Sequence, residues 1–209
     1  MQYGDLPKDL GYMNIEVEEM CFYQYLPIKL KGDSKILYEE RLKPLDSFIG
    51  KISCEFVAEY GLNNYMDSYI YLTVKNMYQL PNQSYNRGGW HSDGFLTEDI
   101  NYIWSDKFPT LFNNSKFNLT LDDSTSLNEM EEQALEENNV TFNNGHILRL
   151  NKYNIHKVGE INEISKRLFI KVSFSKDKYN LKGNSINHLL DYKWIMVDRK
   201  QERNIPQSK

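Results

Sequence analysis

Apolar residues recur at helical spacing in the first third of the chain. Leu45, Phe48, Ile49, Ile52, Phe56 and Val57 share one face of segment 43–60, with Pro44 in its first turn and Gly61 just past its end. Proline is tolerated in a first turn and glycine favours the left-handed stop, so this segment is expected to be a capped helix. A shorter helix is expected from Asp33 or Ser34 through Glu40. Residues 1–67 then read as a helical N-terminal layer that must bury its apolar stripe against something, most naturally a sheet.

From Ser68 the period falls to two. Tyr69-Ile70-Tyr71-Leu72-Thr73-Val74 is β-branched and aromatic and predicts a strand. A polar loop, 81–89, leads directly into Trp90-His91, and further strands are expected at 101–104, 110–112, 140–142, 146–150, 155–158 and 167–174. Many short strands between turn signals predict a mainly β sandwich or barrel carrying N-terminal helices. The chain reads as a single domain over 1–200, with a core at 68–178, an acidic insertion at 116–139 and a C-terminal extension at 179–200. Residues 201–209 form a polar tail expected to fray. Within the insertion, Ser126-Leu127-Asn128-Glu129 fits a capping box and predicts a helix over 126–137, a surface helix or a lid.

Strand parity sorts the last strand. Leu168, Ile170, Val172 and Phe174 share one face, wholly apolar and suited to packing on the helical layer. Arg167, Phe169, Lys171 and Ser173 share the other, so a cation there points into the barrel, where an anionic partner would offset the cost of its burial. By the same parity Trp90 points away from His91 and reads as a packing residue.

Composition narrows the partners. A net charge of −4 on 209 residues gives no general electrostatic footprint for nucleic-acid phosphates. Only Cys21 and Cys54 are present, too few for a disulfide framework or a zinc knuckle. No basic and apolar leader is visible at the N-terminus and no stretch approaches the roughly 18 apolar residues of a membrane span, so a cytoplasmic location is expected.

The chemistry concentrates at His91-Ser92-Asp93 and His156, separated by 156 − 91 = 65 residues. Two imidazoles and one carboxylate with open positions are the facial triad that suits non-haem Fe(II). On a strand, a His-x-Asp pair points both side chains to one side. For the third ligand His146 and His188 compete with His156; His156 has a strand before it and Arg167 eleven residues after it (167 − 156). For a cation, Lys166 and Lys171 compete with Arg167, whose planar guanidinium gives a carboxylate two parallel hydrogen bonds.

The ordered run His91-x-Asp93, His156, Arg167, with Asn144-Gly145-His146-Ile147-Leu148-Arg149-Leu150 before the distal histidine, resembles the Fe(II)/2-oxoglutarate-dependent dioxygenase superfamily over roughly residues 69–175. The layout is most similar to prolyl-hydroxylase-like members, many of which carry Lys where Arg167 stands. The resemblance implies a double-stranded β-helix, a jelly-roll or cupin-like barrel. It implies Fe(II) on His91, Asp93 and His156, and 2-oxoglutarate held by Arg167, with Tyr78 and Lys171 as further cosubstrate contacts. It implies O2-dependent hydroxylation with release of succinate and CO2. Since such a site needs neutral imidazoles and an ionised carboxylate, activity is expected to fall in acid. Nucleic-acid demethylases of the superfamily carry a second Arg six residues on, where this chain has Ser173. A protein, peptide or small-molecule substrate is left, and the acidic insertion suits a basic one. The alternatives are a non-redox metal-binding cupin enzyme and a catalytically silent jelly-roll interaction module.

Overall fold

The computed structural model describes residues 1–81 and 88–199; most of the loop expected at 81–89 and all of the tail at 201–209 lie outside the described residues. The strands are β1 (Lys8–Tyr12), β2 (Cys21–Lys29), β3 (Tyr69–Gln79), β4 (His91–Ser92), β5 (Ile100–Ser105), β6 (Leu111–Asn113), β7 (Asn139–Thr141), β8 (His146–Leu150), β9 (Ile155–Lys157) and β10 (Ser165–Ser175). Helices α1 (Asp46–Tyr60) and α2 (Leu62–Met66) precede β3, and α3 (Asp123–Gln133) lies between β6 and β7. Every pairing among these strands is antiparallel. One sheet runs β1-β8-β5-β10-β3-β2 and the other β4-β9-β6-β7. The chain is thus mainly antiparallel β with few helices.

β10 is the hinge between core and site because its two faces differ in chemistry. Leu168, Ile170, Val172 and Phe174 join Ile70, Leu72 and Val74 of β3 in one cluster with Phe48, Ile49, Ile52 and Phe56 of α1. Phe174 stacks on Phe56 at a centroid distance of 4.1 Å. The apolar face packs on the helix as parity predicts. The opposite face carries Arg167, Phe169, Lys171 and Ser173, all but Phe169 fully buried. A smaller cluster of Trp90, Phe95, Phe117, Met130 and Ile155 lies behind the second sheet.

Residues 1–67 are not the helical layer the sequence predicts. β1 and β2 form the two edges of the large sheet. Their alternation is hard to read: Gly11 interrupts β1, Pro27 lies in β2, and the β2–β3 register slips between Tyr23 and Leu26. Proline and bulges belong at sheet edges, where the lost N–H costs no pairing. The helix expected from Asp33 or Ser34 is also absent: residues 33–39 are irregular, Leu37 N–H donates to the Ile28 carbonyl, and Asn187 clamps the carbonyls of Pro27 and Leu37. The long helix begins as a 3-10 turn, Glu40–Leu45, with Pro44 inside it, and becomes α-helical only at Asp46.

α3 starts at Asp123, three residues before the expected capping box at Ser126, with Asp122 as its cap. That carboxylate accepts from Thr125 N–H, Thr125 Oγ1 and Ser124 Oγ, the arrangement of an N-cap. Ser126 is instead buried within the first turn. The C-terminal extension packs on the sheet, with Tyr179 stacked on Tyr71 at 4.4 Å and Trp194 edge-on to Tyr69. Among the described residues no helix is long and apolar enough to cross a membrane.

The three hydrogen bonds to Asp122 lower its pKa to about 2. A depressed carboxylate pKa contributes stability that is complete above the unfolded value near 3.8 and is lost as pH falls toward 2. In an NMR titration Asp122 should therefore titrate near 2, and amide protection in the first turn of α3 should fall over that same window. Asp122→Ala should abolish this acid dependence.

Candidate metal centre

The shortest strand sets the geometry. β4 pairs with β9 so that His91 lies opposite His156 and Ser92 opposite Ile155. Ser92 Oγ donates to the Lys152 carbonyl at 2.6 Å, tying β4 to the turn before β9. Trp90 is buried, and its N–H donates to Glu131 Oε2 of α3 at 3.1 Å. The acidic insertion thus buttresses the approach to His91. β4 ends at Ser92, so Asp93 stands in the following turn rather than on a strand, still on the side of the two histidines.

One ligand atom each from His91, Asp93 and His156 lie within 4.8 Å of one another. The imidazole centroids are 4.5 Å apart, and His156 Nε2 is 3.7 Å from Asp93 Oδ2. Both rings are oriented in the same way: Nδ1 of His91 meets the Gly89 carbonyl at 2.9 Å and Nδ1 of His156 meets the Asn154 carbonyl at 3.0 Å. A carbonyl only accepts, so Nδ1 carries the proton and the Nε2 lone pair of the neutral ring is left for a metal. Ligands about 2.1 Å from one ion lie at most roughly 4.2 Å apart, so a small closing-in of the three side chains completes a shell. Two imidazoles and a carboxylate with the remaining positions open suit a catalytic Fe(II) or similar divalent ion.

His146 and His188 are not part of this cluster. His146, on β8 of the large sheet, has its Nδ1 hydrogen-bonded to Asp9 Oδ2 at 2.9 Å, and His188 is exposed in the C-terminal extension.

The cations predicted from parity do face inward. Lys171 is buried, with Nζ 3.0 Å from Asp93 Oδ2 and 3.1 Å from the Tyr25 hydroxyl. Burial alone would lower its pKa, but Asp93 and Tyr25 hold it above the usual lysine range. Burial would likewise raise that of Asp93; Lys171, His156 and His91 instead hold it well below the carboxylate range. Arg167 is 2% exposed and spends two donors on its own scaffold: Nε on the Lys107 carbonyl at 2.8 Å and Nη2 on the Phe108 carbonyl at 2.9 Å. Its pKa is lowered to about 10 by burial, against the pull of Asp106. Tyr78 is not brought to the cluster. It lies on the other face of β3 from Lys75 and is 57% exposed.

Two inward residues escaped the sequence reading. Tyr25 sits at the bulge in β2 with φ +48°, a conformation rare for a non-glycine residue. It aims its ring at Lys171, 4.8 Å from Nζ to the centroid. Lys75 on β3 pairs across from Phe169; its signal was a lone charge within a strand otherwise apolar or uncharged.

No family model matches the chain, and no curated protein matches its sequence. Among solved structures it is similar to EvdO2 from Micromonospora carbonacea var. aurantiaca, at 9% identity over 63% of this chain and TM-score 0.38. The match spans 64% of that protein, a little under two thirds of its length. The complex of EvdO2 with 2-oxoglutarate aligns at 10% identity over 72% of this chain and 76% of that one, TM-score 0.40. Likeness at this level carries no argument about activity.

Lys171 and a bound divalent ion would neutralise the same carboxylate. Removing the ammonium leaves a buried anion without its cation, which costs about 3 kcal/mol. Lys171→Met should then lower the melting temperature by roughly 6–12 °C in metal-free protein. Mn(II) should restore more in the variant than it adds to the wild type. Equal metal-induced shifts in thermal melts would mean that Lys171 and the ion do not share Asp93.

Proposed function

We propose that this protein is an Fe(II)- and 2-oxoglutarate-dependent oxygenase that hydroxylates its substrate and releases succinate and CO2. The observation that carries this reading is the convergence of His91, Asp93 and His156, one ligand atom from each within 4.8 Å of the others, while both Nδ1 atoms are engaged by backbone carbonyls. Strand order supports it. From β3 onward the chain distributes its strands between two antiparallel sheets as β8-β5-β10-β3 and β4-β9-β6-β7, a division that supports a cupin-like reading of the fold.

Iron and 2-oxoglutarate, when bound, supply oxygen activation coupled to decarboxylation of the keto acid. The chain's own residues hold and orient. His91, Asp93 and His156 would hold the ion. Arg167 gives one Nε–H and one Nη2–H to the Lys107 and Phe108 carbonyls, and the other edge of a guanidinium so held can grip a distal carboxylate in bidentate fashion. The Lys107 and Phe108 carbonyls fix the guanidinium plane before the cosubstrate arrives, so little side-chain entropy is lost on binding. Tyr25 steadies Lys171 by accepting a second hydrogen bond from the ammonium that Asp93 engages. Phe112 lies 5.7 Å from the His156 ring and, with Ile103, Leu148 and Leu150, supplies an apolar wall behind it.

Protein loaded anaerobically with Fe(II) and 2-oxoglutarate and then exposed to air should form succinate even without its own substrate. His91→Ala and Asp93→Ala should each reduce this by at least about 100-fold, beyond the roughly 10–100-fold typical of an outer-shell change. Stoichiometric metal binding with no succinate would leave a non-redox metal enzyme instead.

A further inference from the structure

We infer that Tyr25, Tyr179, Tyr71 and Trp194 form an aromatic electron relay that carries oxidising equivalents from the metal site to the protein surface when no substrate is bound. The inference rests on the oxygenase reading for the oxidant and on the ring geometry for the path. Tyr25 starts the path one ammonium away from Asp93, because Lys171 Nζ reaches the Tyr25 hydroxyl and the Asp93 carboxylate together. The Tyr25 ring stands edge-on to Tyr179 at a centroid distance of 5.1 Å. Tyr179 stacks on Tyr71 at 4.4 Å with the planes 8° apart. Tyr71 meets Trp194 at 6.3 Å, and Trp194 meets Tyr192 at 4.5 Å. Each step is an ordinary aromatic contact, and electrons tunnel readily between rings in contact. The path passes through buried Tyr71 and ends at half-buried Trp194 and Tyr192 in the C-terminal extension.

For packing alone, phenylalanine would serve at position 179. What marks Tyr179 is the proton acceptor beside it. Its hydroxyl donates to Asp99 Oδ2. Asp99 is 3% exposed, and its Oδ1 has no partner among the described residues. The groups around that carboxylate are the hydroxyls of Ser175, Tyr179 and Thr97 and the like-charged Asp177, not a cation. A buried carboxylate so placed is costly, and burial raises its affinity for a proton. Burial, then Asp99, hold the Tyr179 phenol well above the usual tyrosine range, so its proton leaves only when an electron leaves too. Tyr25 differs, since the Lys171 ammonium lies 4.8 Å from its ring centroid and disfavours a positive charge there. Tyr25 therefore passes the electron, and Tyr179 holds the vacancy.

Each pass moves one electron. Tyr179 gives an electron through Tyr25 to the metal site, and a solvent proton is taken up there. The Tyr179 O–H bond breaks as its proton moves to Asp99. A soluble one-electron reductant of the hydroquinone class returns an electron through Trp194 and Tyr71 and releases its own proton to solvent. Asp99 then restores the Tyr179 O–H bond. Two passes leave Fe(II) and water at the site, with the protein unchanged.

The test loads full-length protein with Fe(II) and 2-oxoglutarate, without substrate or reductant, and mixes it with oxygen. Freeze-quenched samples are read by electron paramagnetic resonance; aged samples are read by succinate assay and peptide mass spectrometry. A tyrosyl signal that requires 2-oxoglutarate should appear, narrow in protein carrying ring-deuterated tyrosine, and decay faster with hydroquinone. Oxidation products should reach Trp194 or Tyr192. In Tyr179→Phe the tyrosyl signal and the oxidation at Trp194 should both be lost while succinate still forms. Trp194→Phe, which leaves the Tyr179–Asp99 pair in place, should instead lengthen the lifetime of the signal. Succinate without a tyrosyl radical in the wild type overturns the relay and leaves the oxygenase reading standing. So does a signal unchanged in both variants when these melt like wild type. Absence of succinate in the wild type removes the oxygenase reading and the relay with it.

Discussion

His91 and His156 face each other across a pairing only two residues long, and each ring is held from behind by the carbonyl of the residue two before it. Such a short ladder has little strength of its own. It persists because its surroundings fix both ends: Ser92 is bonded to Lys152, Trp90 is held by Glu131, and Trp90 and Ile155 are buried with Met130 and Phe117. The register of this one pairing determines whether two Nε2 atoms converge. A slip of one residue would turn each ring to the other face of the sheet.

The second constraint is the division of β10. Its apolar face is bound to α1 and anchors the large sheet, while its polar face projects Arg167 and Lys171 toward the histidines. Because one rigid strand does both, the cations cannot drift relative to the core. Arg167 also holds the 107–108 turn, where Phe108 adopts φ +48°. Tyr25 takes the same φ at the bulge of β2. Two strained residues thus lie beside Arg167 and Lys171, and strain of this kind persists where the surroundings over-determine it.

Much of this was legible in the sequence because it depends on short-range periodicity. The 43–60 helix, the strands from β3 onward and the two faces of β10 follow from spacing alone, and the order of His91, Asp93 and His156 pointed to a shared site. What was not legible depends on contacts distant in sequence. β1 and β2 sit at sheet edges where Gly11, Pro27 and a bulge blur the alternation. The 33–39 segment is held irregular by Asn187, some 150 residues away. Asp122 outcompeted Ser126 as the cap because a carboxylate accepts several bonds at once. Tyr78 was chosen by its place in the chain, but parity along the full length of β3 turns it outward and turns Lys75 in.

The claim most exposed to refutation is that His91, Asp93 and His156 bind one ion through both imidazoles. X-ray absorption at the iron edge of Fe(II)-loaded protein counts imidazole ligands directly. The structure predicts two in the wild type and in His146→Ala, and one in His156→Ala. A wild-type spectrum without imidazole scattering, or one that changes in His146→Ala and not in His156→Ala, would contradict it.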